Sequence, residues 1–144
     1  MLNELSGKLD TLEYYTEVLY VARSYQKEDF VGEPLIFGGT ERYILLGIKE
    51  IKDICRLVGR YNGLMENDIA NILDYLDDNK ILKANLKIRF EKYLPIIKVD
   101  YLKYMDKEEL YEIINEFIDC FIDFKGCIEE YLQKNKRLKT GAAV

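Results

Sequence analysis

The stretch Asp106–Tyr131, DKEELYEIINEFIDCFIDFKGCIEEY, carries a single stripe from end to end. Its apolar residues are Leu110, Ile113, Ile114, Phe117, Cys120, Phe121, Phe124, Ile128 and Tyr131. They recur every third or fourth position, the period of an α-helix, and so share one face. The acids Glu109, Glu112, Glu116, Asp119, Asp123 and Glu130 line the other side, which reads as a solvated face. Asp106, with Glu109 three residues on, forms the capping box that starts such a helix. A long helix with one greasy stripe needs other helices to lie on. The stripe predicts a helix from Asp106 to about Lys134, with 135–144 as a flexible tail to a single domain spanning 1–134.

The same period runs through most of the chain. A first helix is predicted from Asn3 to Tyr25. Its polar positions Ser6, Asp10, Glu13, Glu17 and Ser24 fall in one narrow arc and most of the remaining circumference is apolar. Such a helix needs cover on more than one side, either from a second copy of the chain or from a central place within the monomer. Gln26–Gly39, with Gly32, Pro34, Gly38 and Gly39, reads as a connector. Thr40 then reads as the cap of a second helix, Glu41 to Tyr61, which Asn62-Gly63 ends. Its apolar arc holds Ile44, Ile48, Ile51, Ile54, Cys55, Val58 and Tyr61. A third helix is predicted from Asp68 to Leu76, with Asp77-Asp78-Asn79 as a turn. A fourth runs from Ala84 to Leu94, with a break or kink at Pro95, after which the helix can resume through Tyr104. The expected fold is all-α: an antiparallel bundle of five helices, homodimeric.

Composition bounds the chemistry. The 144 residues contain no histidine. That removes the usual proton shuttle at neutral pH, and with it any Ser-His-Asp, Cys-His or His-ligated zinc site built from this chain alone. The three cysteines, Cys55, Cys120 and Cys127, form no Cys-x-x-Cys and read as small buried hydrophobes. No apolar run has the ~20 residues that cross a bilayer, and the N-terminus lacks a signal-peptide pattern, so a cytoplasmic protein without membrane association is expected. The net charge of −5 argues against general DNA coating.

Against that acidic balance, one stripe is basic. Arg42, Lys49, Lys52, Arg56 and Arg60 share a face of the second helix, interrupted mainly by Asp53. Cations so placed suit the phosphates of a nucleic acid or nucleotide, and neighbouring tyrosines supply stacking surfaces. A solvated face, or one paired with a partner's acids, has the same sequence. Gly38-Gly39-Thr40 would offer helix-start amides to an anion, but lacks the P-loop pattern and follows no strand.

The order and spacing of the helices resemble the HEPN superfamily, in particular its HepT-like branch, across residues 3 to 134. The resemblance lies in Thr40-Glu41-Arg42-Tyr43 and its following helix, in Ile72-Leu73-x-x-Leu76 with Asn79-Lys80-Ile81-Leu82, and in Asp106-x-x-Glu109-Leu110-Tyr111-Glu112-Ile113-Ile114. The family carries Arg-x4-His, joined at a homodimer interface, for metal-independent RNA cleavage. Here the matching stretch reads Leu94-Pro95-Ile96-Ile97-Lys98-Val99-Asp100-Tyr101, with Leu94 in the arginine's place and Val99 in the histidine's. The resemblance thus implies a degenerate member that keeps the fold and the dimer but not the nuclease. Tyr101 matches a tyrosine that, in the family, a nucleotidyltransferase-type partner modifies in a toxin–antitoxin setting.

The preferred expectation is a non-catalytic HEPN-like protein that associates with nucleic acid or a nucleotide, or docks a partner in nucleic-acid processing. An enzyme is the alternative. Glu50-x-x-Asp53 with acids from another helix would hold Mg²⁺, as carboxylates do in all-α nucleotide pyrophosphohydrolases of the MazG type. A structural dimer without ligand is the third reading. No cofactor is expected outside the Mg²⁺ alternative.

Overall fold

A computed structural model describes residues 2–98 and 105–141, excepting the side chains at 84, 94–98 and 136–141. Among the described residues the chain forms six helices and no strand: α1 (Leu2–Arg23), α2 (Lys27–Gly32), α3 (Pro34–Tyr61), α4 (Ile69–Asp78), α5 (Ala84–Lys98) and α6 (Lys107–Gly141). The all-α expectation holds. The count of five does not, because the expected connector is itself helical.

That connector is the largest correction. Glu33, in extended conformation, is the N-cap of α3, and Pro34 follows as its first residue. Proline suits that position because its fixed φ is already helical and its missing N–H would be unpaired there anyway. Gly38 and Gly39 therefore lie inside the helix, at a cost of ~0.5–1 kcal/mol each relative to alanine. Apolar anchors on either side offset it: Ile36 and Phe37 pack against the core and Ile44 is fully buried. Thr40 is no cap. It is buried mid-helix, and its hydroxyl donates to the Ile36 carbonyl at 2.7 Å. The Gly38-Gly39-Thr40 amides are thus not helix-start amides. Phe30 of α2 is fully buried with its ring 5.2 Å from that of Tyr111.

Smaller differences follow the same logic. Asp68 caps α4, accepting from the Ala70 amide, and the helix runs through Asp77 and Asp78 before Asn79 ends it. α5 passes through Pro95 to Lys98 rather than breaking there. Its preceding turns are held by Phe90 and Tyr93, both buried, with rings against Phe124 and Phe117 of α6. Asp106 accepts from the Glu108 amide at the start of α6, and the helix continues past the expected end near Lys134.

α1 packs chiefly on α3 and α6. Lys8 meets Glu50 while Tyr15 meets Tyr43, so α1 and α3 run antiparallel. Glu13 meets Lys125 while the Tyr111 hydroxyl donates to the Tyr25 carbonyl just after α1, and Lys92 and Arg89 meet Glu116 and Asp123, so α1 and α5 are both antiparallel to α6. The core between them is one continuous cluster, including the whole expected α6 stripe except Ile113 and Tyr131, which are partly buried, and adding Ile118 and Cys127. Burying each such side chain contributes ~1.5–3 kcal/mol.

α1 is covered within the chain on one side only. Leu5, Leu9, Leu12, Thr16, Leu19 and Ala22 are buried within the chain, while Tyr14 and Val21 on the outer side remain 54% and 60% exposed. The acidic side of α6 also differs from a merely solvated face. Glu112, Glu116 and Asp123 make cross-helix pairs with Lys27, Lys92 and Arg89. Among the described residues no helix is long and apolar enough to cross a membrane.

Candidate nucleic-acid interface

The buried residues of α3 (Ile44, Gly47, Ile48, Ile51, Ile54, Cys55, Val58, Gly59) fix which side of the helix looks outward. At about 100° per residue, Arg42, Lys49, Lys52, Arg56 and Arg60 fall within roughly an 80° arc outside that buried face, with Arg42, Lys49 and Arg60 farthest from it and Lys52 at its edge. The structure therefore brings all five onto one outward side. From Arg42 to Arg60 the stripe runs ~27 Å at 1.5 Å per residue.

The five are not equivalent. Arg42, Lys49 and Arg60 are exposed, and among the described residues no ion pair engages them. Arg56 is half-buried and lies 3.8 Å from the Asp53 carboxylate one turn back. Lys52 is half-buried too, and burial, followed by the charge of Arg56, pulls its ammonium below the usual lysine value.

Lys8 of α1 was not anticipated as part of this surface. Its ammonium sits 3.7 Å from Glu50 and 3.9 Å from Asp53. The hydrolase reading requires a second helix to bring acids to Glu50 and Asp53. A second helix does come, but it brings a cation. Among the described residues no group of three or more His, Cys, Asp or Glu is arranged to hold a metal ion. For the stripe, the consequence is that Lys8 offsets one of the two acids beside it on α3, while Asp53 also faces Arg56. Glu4, Lys8, Asp53, Arg56, Leu57 and Arg60 line a small cleft of about 160 Å³ where the start of α1 meets the end of α3. Lys8 carried a weak signal in sequence, as a lone cation between Leu5, Leu9 and Leu12 on a helix read for its apolar surface.

Near the other end, Tyr14 and Tyr15 of α1 meet Tyr43, the residue after Arg42. The Tyr15 and Tyr43 rings are 5.7 Å apart and the Tyr14 and Tyr43 rings 6.2 Å, both edge to face. A hydrogen bond with Tyr43 raises the Tyr14 phenol above its ordinary pKa, so it stays neutral. Tyr14 is exposed, so an aromatic surface flanks the Arg42 end of the stripe.

The remaining candidates are inert or out of view. Cys55, Cys120 and Cys127 are buried free thiols, and burial pushes Cys55 and Cys120 up to about 12, well away from nucleophilic thiolate. Val99 and Tyr101 lie outside the described residues, as does the Leu94 side chain. No protein-family model matches the chain, and no curated protein matches it.

Proposed function

We propose that this protein is a non-catalytic, HEPN-like helical module that binds the phosphate backbone of a nucleic acid along the outer face of α3. The observation that carries the reading is the stripe itself: cations grouped on one outward arc of one helix, in a chain of net charge −5. Its length selects the ligand class. A mononucleotide touches one or two of these side chains, whereas a strand with regularly spaced phosphates engages a ~27 Å row. Tyr14 and Tyr43 beside Arg42 add a stacking surface, which favours single-stranded RNA or DNA. The chain has no histidine, so binding without orthodox HEPN cleavage is the activity its side chains support.

The test is fluorescence anisotropy of a labelled single-stranded RNA at low salt, with wild type and Arg42→Ala/Lys49→Ala/Arg60→Ala. These three residues make no ion pair among the described residues, so the variant should keep its fold by circular dichroism. Binding by wild type and its loss in the variant supports the reading; equal binding by both defeats it.

A homodimer is the second element, favoured by exposed Tyr20 and Val21 toward the end of α1, beyond the Tyr14 stacking surface. Sedimentation velocity on wild type and Val21→Glu measures it. A dimer that the substitution dissociates supports this face as the contact, and a wild-type monomer at tens of micromolar removes it. Tyr101 as a modification site for a nucleotidyltransferase-type partner belongs to the same reading, and incubation with such an enzyme and labelled nucleotide, against Tyr101→Phe, tests it.

A further inference from the structure

α3 and α4 end in the same motif with different residues at its critical position. At the end of α3, Leu64 donates to the Gly59 carbonyl and Gly63 to that of Arg60, both at 2.9 Å. At the end of α4, Ile81 donates to Leu76 at 2.8 Å and Lys80 to Asp77 at 3.0 Å. Both are Schellman caps, which place one residue in the left-handed region. Gly63 takes it at φ 83°, and Lys80 takes it at φ 58°. Glycine adopts that conformation freely; lysine pays a cost of order 1 kcal/mol. Lys80 is the one non-glycine residue with positive φ among the described residues.

Lys80 lines a cleft of about 400 Å³, with Asn62, Lys83, Tyr131 and Lys134 among its other walls. The ends of α3 and α4 and the far half of α6 meet there. Lysines after a helix end commonly offset its dipole. The end of α4 has little need of that, since its last carbonyls are taken by the cap amides and by the Asn79 side chain, which donates to Tyr75 at 2.8 Å. Among the described residues Lys80 and Lys83 have no ion-pair partner, and Lys134 pairs only with Glu130, at 3.7 Å. Three ammoniums less one carboxylate leave about two positive charges on the cleft, the complement of a phosphomonoester dianion. The amide of Asn62 donates to the Val58 carbonyl and to the Tyr131 hydroxyl, at 2.8 and 3.0 Å. The Tyr131 oxygen is thereby used as an acceptor, and its own O–H stays available to a ligand.

We propose that this cleft binds a phosphomonoester on an organic body, with Lys80, Lys83 and Lys134 holding the phosphate and Tyr131 donating to it. A free mononucleotide and the phosphorylated end of a strand share this chemistry. The site is separate from the α3 stripe and stands without it.

The experiment is calorimetric titration with AMP, with adenosine, and with a short oligoribonucleotide bearing either a 5′-phosphate or a 5′-hydroxyl. Wild type is expected to bind AMP or the phosphorylated strand and to ignore adenosine. AMP binding assigns a free nucleotide; a strand preference for phosphate without AMP binding assigns a strand end. Lys80→Gly and Lys83→Gln should each weaken that binding by roughly tenfold, the loss of one charge-assisted hydrogen bond. Lys80→Gly should at the same time melt at the same or a higher temperature, because glycine relieves the left-handed strain. Arg42→Ala/Lys49→Ala/Arg60→Ala should retain the AMP or phosphate-dependent binding. Absence of any phosphate-dependent binding at millimolar ligand, equal binding of adenosine, unchanged affinity in both lysine variants, or loss in the α3 variant would each overturn the assignment.

Discussion

Gly47 of α3 lies directly against the ring of Phe121 on α6, so close that a Cβ at position 47 would collide with the ring. Both residues are buried, and the contact is where the helix carrying the basic stripe is seated on the longest helix of the bundle. Gly47→Ala gains helix propensity but forces the ring aside. The steric cost of overpacking is ~1–3 kcal/mol, which outweighs the gain. The variant is expected to unfold at lower denaturant concentration, and Phe121→Leu in the same chain to restore part of the loss. A Gly47→Ala protein as stable as wild type would mean the two helices are not this close.

Gly38 and Gly39 give the opposite expectation. They sit inside α3, and a Cβ at either meets nothing within 4 Å. Alanine at each should therefore stabilise by ~0.5–1 kcal/mol, through a less free unfolded chain and better helix propensity. Thermal melts of the two single variants measure this. Destabilisation at both would mean that the segment is the loop that the glycines suggest.

The α5–α6 contact carries a pH dependence. Lys92, 2.7 Å from Glu116, holds that carboxyl below its ordinary value of 4.5. A depressed folded pKa means stability that is complete above about that value and lost as the pH falls through the lower folded one. Glu116 is partly exposed, so the effect is small. Expected is a fall in melting temperature below about pH 4.5 that is shallower in Glu116→Gln than in wild type. Parallel curves for the two proteins would remove the carboxylate from the account.

The α6 stripe could be read from sequence because its residues repeat over many turns, and a long repeat averages out single errors. Leu110, Phe117, Phe121 and Phe124 were all expected in the core and are there. The arc of the basic residues followed from the same periodicity once α3 was recognised as a helix. What failed was local punctuation. Gly32, Pro34, Gly38 and Gly39 look like loop signals one at a time, but proline at a helix start and glycine within a well-anchored helix are both tolerated when neighbouring apolar residues are buried. Lys8 is illegible in sequence for a different reason. Its meaning comes from Glu50 and Asp53 on another helix, and a contact between distant segments leaves no mark in the spacing of either.

The most direct test of the central claim is the salt dependence of RNA binding. For a single strand, the logarithm of the association constant falls with the logarithm of salt concentration at ~0.7 per phosphate neutralised. Replacing Arg42, Lys49 and Arg60 by alanine should therefore flatten the wild-type slope by about 2, as well as weaken binding. A wild-type slope near zero, or the same steep slope in the variant, would contradict the assignment of the α3 stripe as the phosphate-binding surface.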